Sequence, residues 1–487
     1  MTKANLHIPK EGQPLEELLQ QMKSFKSGDA RWREGRTWSM VYHLGEEHDQ
    51  LLKQASNLFF SESYINPFAF ESLQRMEREV VQMTASLLNG GDEAVGTMSS
   101  GGTESIFLAM YTYREWARKN RRIESGATCV LPQTIHPAFE KAAHILGVKV
   151  IKTPVDEHCR AIIPEMEKRI GPNTIMIAVS APSYPQGVMD PVPEASELAQ
   201  QRRVPLHVDG CIGGFMLPWV EELYPEQLPA WDFRLPGVTS MTADTHKFAY
   251  GAKGSSVLLY RSMEYLRHQF FITTDWPGGI YASPTLLGSR SGGPIAAAWA
   301  AMNSLGKSGY RRITKAIMEG VRQVREGLEA IPELQIVGQP CMNIMAFATV
   351  NNKPDIFVIG DYLQERGWYV DRQQRPNCIH ITIMQNNLPV IPEYLEDIKA
   401  AVAFAKDNPR AKAKGNAALY GLMARIPFRG MVEQNVRQMF EELYGQNEPA
   451  SSGHSQDSEP PSADTPTPAW WMGPLNRLLS RWPFNKS

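Results

Sequence analysis

Apolar residues recur every three or four positions through "SLQRMEREVVQMTASLLNG". Leu73, Met76, Val80, Met83 and Leu87 share one helical face, and Gly90-Gly91 ends the run. A glycine-rich turn, "GTMSSGGTES", then opens a second helix over "IFLAMYTYREWARKN". Beyond it short apolar runs alternate with helical stretches. "TCVLPQ" precedes "PAFEKAAHILG", "VKVIKTPV" precedes "IPEMEKRI", and "TIMIAVSA" precedes "PEASELAQQRR". "VPLHVDG", "GVTSMTADTHK" and "SSVLLYR" follow. This alternation predicts parallel βαβ units in an α/β, doubly wound sheet.

The rhythm changes at both ends. Residues 1–60 read as an extended arm followed by helices, and residues 61–309 as the large domain. Past residue 292 two long helical stretches, "PIAAAWAAMNSLG" and "YRRITKAIMEGVRQVREGLEAI", lead to separated strands such as "NIMAFATV" and "CIHITIM". These predict a smaller C-terminal α+β domain over residues 310–445. Residues 446–468, rich in Ser, Pro and acid, predict a disordered linker. Residues 469–487 interleave Trp470, Trp471, Leu475, Leu478, Leu479 and Trp482 with Arg477, Arg481 and Lys486.

Composition narrows the picture. With 487 residues, 43% hydrophobic and 21% charged, the chain suits a soluble globular protein of several packed units. A formal net charge of −2 argues against a nucleic-acid binder that relies on a basic face. The five cysteines are scattered and form no CxxC pair, so neither a disulfide framework nor a thiolate metal site is expected. The polar N-terminus lacks the apolar core of a signal peptide, and no apolar run is long enough to cross a bilayer. A cytoplasmic protein is the expectation.

Three features carry chemistry. In "SSGGTES" at 99–105 a glycine turn lies between a helix and a helix start. Unpaired amides and the helix dipole suit such a start to anions. Ser99, Ser100 and Thr103 add hydroxyls, and Gly101-Gly102 lets the backbone approach a phosphate. A capped turn without a ligand is the other reading. In "PLHVDGCIGG" Asp209 ends an apolar strand, and His207 shares its face. Asp209 suits a metal, a ribose, a protonated ring nitrogen, or a simple turn cap. In "TADTHKFAYGAKG" Lys247 also ends a strand, and Lys253 follows six residues later. A half-buried lysine is costly unless its pKa falls or it becomes covalently bound.

Phosphate turn, strand-end Asp and strand-end Lys, in that order, are what pyridoxal phosphate needs. The aldehyde bonds the lysine amine, and the carboxylate keeps the ring nitrogen protonated. His246 is placed to bond the same phosphate, and His136, at a helix start in "TIHPAFEKAA", to stack on the ring.

These residues resemble the group II pyridoxal-phosphate decarboxylase superfamily, and within it the sphingosine-1-phosphate lyases. The likeness is carried by "SSGGTES", "HVDGCIGGF", "DPVPE", "GVTSMTADTHKFAYGAKGSSVLLYR" and "TTDWPGGIYASPTLLGSRSGG". It implies a fold-type I, aminotransferase-like architecture and an obligate homodimer with shared active sites. It implies Lys247 as the cofactor-bonding lysine, Asp209 as the ring-nitrogen partner and His136 as the stacking residue. Gly288, Ser289 and Arg290 are expected to reach the cofactor phosphate of a neighbouring subunit. Lys253 and Tyr42 match positions that hold the substrate phosphate, and Tyr184 an aromatic position near the reacting centre.

The chain departs from the lyase pattern at Asn66. Lyases carry a histidine there, before a proline; Asn66 donates hydrogen bonds but cannot act as a base. The expected reaction is retro-aldol cleavage of a phosphorylated long-chain base to an aldehyde and phosphoethanolamine. The alternative is α-decarboxylation of an amino acid, with which Asn66 is compatible. A scaffold without catalysis is disfavoured by the presence of Lys247, Asp209 and His136. The Trp/Arg tail suits peripheral contact with a membrane surface, or docking on its own dimer.

Overall fold

The computed structural model describes residues 8–66, 68–413 and 429–445. The linker and the Trp/Arg tail therefore lie outside the described residues.

Three helices come first: α1 (Leu15–Phe25), α2 (Glu46–Leu58) and α3 (Glu71–Leu87). On α3 Leu73 and Val80 of the predicted face are buried together with Val81, Thr84 and Ala85, while Met76, Met83 and Leu87 are only partly buried, so the buried stripe is rotated from the predicted one. Then strands and helices alternate: β1 (Val95–Ser99), α4 (Gly102–Arg121), β2 (Thr128–Pro132), α5 (Ala138–Leu146), β3 (Lys149–Thr153) and α6 (Ile163–Glu167). The series continues through β4 (Thr174–Ser180), α7 (Val192–Arg202), β5 (Leu206–Asp209), α8 (Leu217–Leu223), β6 (Val238–Ala243) and β7 (Ser256–Tyr260).

These strands form one seven-stranded sheet in the order β1-β7-β6-β5-β4-β2-β3. The pairs from β3 to β6 are parallel, and β7 runs antiparallel to both β6 and β1. Every residue of β4, β5, β6 and β7 is buried, as expected for strands with helices on both faces. The carboxyl ends of the parallel strands share one edge, where open α/β sheets bind ligands. β1 was not expected: "VGTMS" reads as part of a glycine-rich turn. Gly96 is the reason, since a Cβ there would lie 2.2 Å from the Leu258 carbonyl oxygen of β7. A glycine needed for close approach weakens a strand's sequence signal.

After α9 (Met263–Leu266) a short hairpin, β8 (Phe271–Thr273) and β9 (Tyr281–Ser283), stands apart from the sheet. Helix α10 (Gly292–Glu329) joins the two predicted helical stretches across a break at Gly306, whose φ is 54° and ψ 179°. It leads into a second, antiparallel sheet ordered β10-β11-β13-β12. Its parts are β10 (Leu334–Ile336), β11 (Ile344–Thr349), α11 (Ile356–Glu365), β12 (Asp371–Gln373), β13 (Cys378–Thr382) and α12 (Ile391–Asp407). Helix α13 (Arg429–Tyr444) follows.

The N-terminal arm belongs structurally to this second sheet. Thr37 bridges to Tyr369 in parallel, and the Thr382 amide donates to the Trp38 carbonyl at 2.6 Å. The fully buried Trp38 packs on Tyr394 and Trp368, with ring centroids 4.3 Å and 6.3 Å away. Asn387 Nδ2 donates to the carbonyls of Gly35 and Thr37. The arm thus fixes the positions of Met40 and Tyr42, which follow it toward the carboxyl edge of the large sheet.

Candidate active site

At that edge lies a cavity of about 520 Å³. Its floor begins with the turn between β1 and α4, so the glycine turn follows a strand and not a helix as expected. Gly101 has φ 148°, and a Cβ on it would lie 3.2 Å from His246 Cε1. A Cβ on Gly102 would lie 2.7 Å from Cys211 Sγ and 2.8 Å from Asp244 Oδ2. Neither position admits a side chain, so the backbone at the start of α4 is bare to the cavity beside Ser100 and Thr103. Beneath it the Oγ atoms of Ser99 and Ser105 lie 2.7 Å apart, and those of Ser105 and Ser256 2.9 Å. Glu104 braces the turn, accepting from the Ser100 amide at 2.7 Å and the Leu286 amide at 3.1 Å.

Asp209 ends β5 with 6% of its surface exposed and lines the cavity. Its Oδ1 accepts from the Cys211 amide at 3.0 Å and from Thr242 Oγ1 at 3.3 Å. Both bonds fall on Oδ1, leaving Oδ2 for a ligand. His136, just before α5, is a third wall. Its Nδ1 accepts from the Ala138 amide at 3.2 Å, and burial lowers its pKa against the pull of Asp209. A neutral ring with one nitrogen satisfied is what a stacking residue requires. His207 is a correction. It is fully buried within β5, its Nδ1 is 2.7 Å from Ser240 Oγ, and its ring meets Phe139 edge-on. Burial pushes its pKa down to about 4, and it does not line the cavity.

The turn after β6 brings Asp244, His246 and Lys247 to the opposite wall. Lys247 Nζ lies 3.0 Å from Asp244 Oδ2. Burial disfavours the ammonium, but the Asp244 carboxylate outweighs it and raises the Lys247 pKa. His246 Nδ1 accepts from the Ser255 amide at 3.2 Å, and its Nε2 is 3.7 Å from Asp244 Oδ2. At the rim Lys253 Nζ donates to the Met40 carbonyl at 3.0 Å and lies 4.6 Å from the Tyr42 ring centroid. Burial, reinforced by Lys247, lowers the Lys253 pKa to about 8. Burial likewise pushes the Tyr42 phenol up to about 12. Tyr184 donates to Asp371 Oδ2 of the second sheet at 3.1 Å, and its ring lies 4.3 Å from that of His380.

Three expected site residues stand elsewhere. Asn66 is exposed and turns its Oδ1 to the Phe68 amide at 3.0 Å. Gly288 and Ser289 lie on the loop after β9, outside the cavity, and Ser289 is exposed. Their neighbour Arg290 is held by Glu77 at 2.6 Å and by the Met98 carbonyl at 3.1 Å. Conversely, sequence reasoning passed over Cys211, Glu104, Asp244 and Asp371. Only Asp244 left a trace, as a carboxylate three residues before Lys247.

The donor set fits pyridoxal phosphate. A cradle too tight for any Cβ suits the phosphate, Asp209 the ring nitrogen, His136 the ring face, and Lys247 the aldehyde carbon. Fold and site together define a pyridoxal-phosphate-dependent lyase. The pyridoxal-dependent decarboxylase conserved domain matches residues 3–350. Sphingosine-1-phosphate lyase 1 of Rattus norvegicus is 38% identical over 459 residues, spanning 93% of this chain and 79% of the relative. Sphingosine-1-phosphate lyase of Arabidopsis thaliana is 40% identical, spanning 86% and 77%. The structure of the Burkholderia pseudomallei sphingosine-1-phosphate lyase superposes with a TM-score of 0.81 at 39% identity, covering 90% of this chain and 97% of that one. The chain belongs to the pyridoxal-dependent decarboxylase family, in its sphingosine-1-phosphate lyase branch.

Proposed function

We propose that the chain cleaves a phosphorylated long-chain base, sphingosine-1-phosphate or a close analogue, to a fatty aldehyde and phosphoethanolamine. Lys253 carries this reading. Lys247 is ion-paired, whereas Lys253 rests on a neutral carbonyl and a ring face and forms no ion pair among the described residues. An uncommitted cation at the rim of a cavity is a site for an anionic substrate group. When bound, pyridoxal phosphate supplies the sink for the electrons of the broken carbon–carbon bond. Lys253 and Tyr42 hold the substrate phosphate, which fixes the amine beside Lys247. Burial and Asp371 keep Tyr184 a neutral phenol that donates its hydrogen bond to Asp371, so as its oxygen takes the proton of the substrate hydroxyl it passes its own proton on to that carboxylate. Asp371 thereby spares Tyr184 a buried negative charge.

The working assembly in this reading is a homodimer with shared sites. Asn66, Gly288 and Ser289 fail to reach the cavity of their own chain. The β8–β9 hairpin beside them exposes Phe271, Ile272, Trp276 and Ile280, the last at 77%. Contiguous exposed apolar surface marks an interface. Among the described residues no helix is long and apolar enough to cross a membrane. The scattered cysteines, without a CxxC pair, support a reducing, cytoplasmic location in this reading, and the Trp and Arg residues of 469–487 supply the membrane contact.

Incubating the purified protein with a phosphorylated long-chain base and with an amino-acid panel tests the reaction. Aldehyde release from the base is the expected result; carbon dioxide from an amino acid, with no aldehyde, overturns it. The Lys253 pKa gives a second prediction. The cation is present below pH 8 and lost above it. We expect kcat/KM for the phosphorylated base to fall about tenfold per pH unit above that point. Lys253→Met should flatten this limb and raise KM more than it lowers kcat.

A further inference from the structure

Asp244 has no place in the chemistry described so far, yet it is one of the most constrained groups in the cavity. It is the first residue after β6, only 2% exposed, and its amide donates to the Cys211 carbonyl at 3.1 Å. Its carboxylate faces Gly102 at the start of α4, where the helix dipole favours an anion. Oδ2 holds Lys247 at 3.0 Å, and His246 and the Ser256 hydroxyl add to the groups that favour the carboxylate. A buried carboxylate beside a phosphate cradle repels the ligand that the cradle serves. Its retention needs a separate purpose.

We propose that Asp244 is the dock for Lys247 whenever that lysine is not bonded to the cofactor, and so a positioning residue for amine exchange. The proposal rests on Lys247 being the cofactor-bonding lysine. In the exchange the bond from Lys247 Nζ to the cofactor carbon breaks, and a bond from the substrate nitrogen forms. The substrate would enter as an ammonium ion and keep one of its three N–H hydrogens; the two protons it sheds would end on Lys247, which departs as an ammonium ion, so charge and atoms balance. A free neutral Lys247 would stay a nucleophile and compete to return. As an ammonium ion held by Asp244 it cannot attack, and it keeps the proton beside the reacting centre.

The other groups around Lys247 do not substitute for Asp244. His246 and Lys253, in the same connection between β6 and β7, and His136 before α5 are neutral or cationic. Tyr42 and Cys211 are both held protonated by burial. Asp209 has Oδ2 free, but among the described residues the ion pair of Lys247 is with Asp244, and Asp209 is kept for the ring nitrogen.

Two measurements test this on the full chain. The first strips the cofactor and labels amines reductively with formaldehyde across a pH series, with mass spectrometry reading Lys247 and Lys141 separately. In the wild type, Lys247 should resist labelling at a pH where an ordinary lysine, of pKa about 10.4, reacts. In Asp244→Asn it should label at least tenfold faster at pH 8, with the exposed Lys141 of α5 as the internal control. Ordinary labelling of Lys247 in the wild type overturns the proposal without any variant. The second titrates the holoenzyme with ethanolamine and follows the cofactor absorbance. Asp244→Asn should need at least tenfold more amine to displace Lys247; equal midpoints overturn the dock. The labelling does not depend on the cofactor or substrate, so it can stand or fall apart from the functional reading.

Discussion

In Lys247→Ala the absorbance band that marks the bond between lysine and cofactor, at the visible edge of the ultraviolet, disappears. Turnover falls by roughly 10⁵ or more, the scale lost when a held reactant is replaced by one from solution. Two features make this the largest expected effect. Lys247 is the amine that faces the cradle from the end of β6, and Lys253 is tied to the Met40 carbonyl at the rim. The substitution leaves Asp244 buried without its cation, so that carboxyl takes up a proton and stays neutral. The fold survives on that account, and far-ultraviolet circular dichroism should match the wild type. An unchanged band in the variant would remove the cofactor assignment for Lys247.

The second large effect is at Asp209. Asn keeps an oxygen for the Cys211 amide and for Thr242 Oγ1, so the end of β5 holds its shape. Only the charge is lost, and with it the proton on the cofactor ring nitrogen. We expect kcat to fall by roughly 10²–10³, the size of one preorganised electrostatic contact to the transition state. The cofactor itself should remain bound, because the α4 cradle and Lys247 are untouched. Retained absorbance with lost turnover separates this outcome from a simple failure to load. Full activity in Asp209→Asn would show that the ring nitrogen needs no carboxylate.

Much of this site was legible in the sequence because each element announces itself locally. Lys247, Asp209 and His136 all sit where strand-to-turn transitions place them, at one edge of a parallel sheet. His207 was misplaced by correct periodicity. It does share a face with Asp209, but β5 is buried on both sides, and only its last residue reaches the crevice. β1 was hidden by Gly96, a glycine chosen for close packing. Asp244 was visible as a letter but not as a role. An Asp three residues from a Lys is ordinarily a solvated pair of little consequence; burial at the cradle changes its meaning. Asn66, Gly288 and Ser289 lie beyond reach of any single-chain reading. Their proposed destination is another subunit, and no local pattern encodes that distance.

The arm at residues 35–42 also has a consequence for how the chain is made. Thr37 and Asn387 are hydrogen-bonded although 350 positions apart, and Trp38 waits for Trp368 and Tyr394. During synthesis Trp38 emerges early and stays without its partners until the second sheet is complete. Contacts of such long sequence separation form late and leave apolar surface uncovered meanwhile. The wall bearing Tyr42 is therefore among the last parts to close.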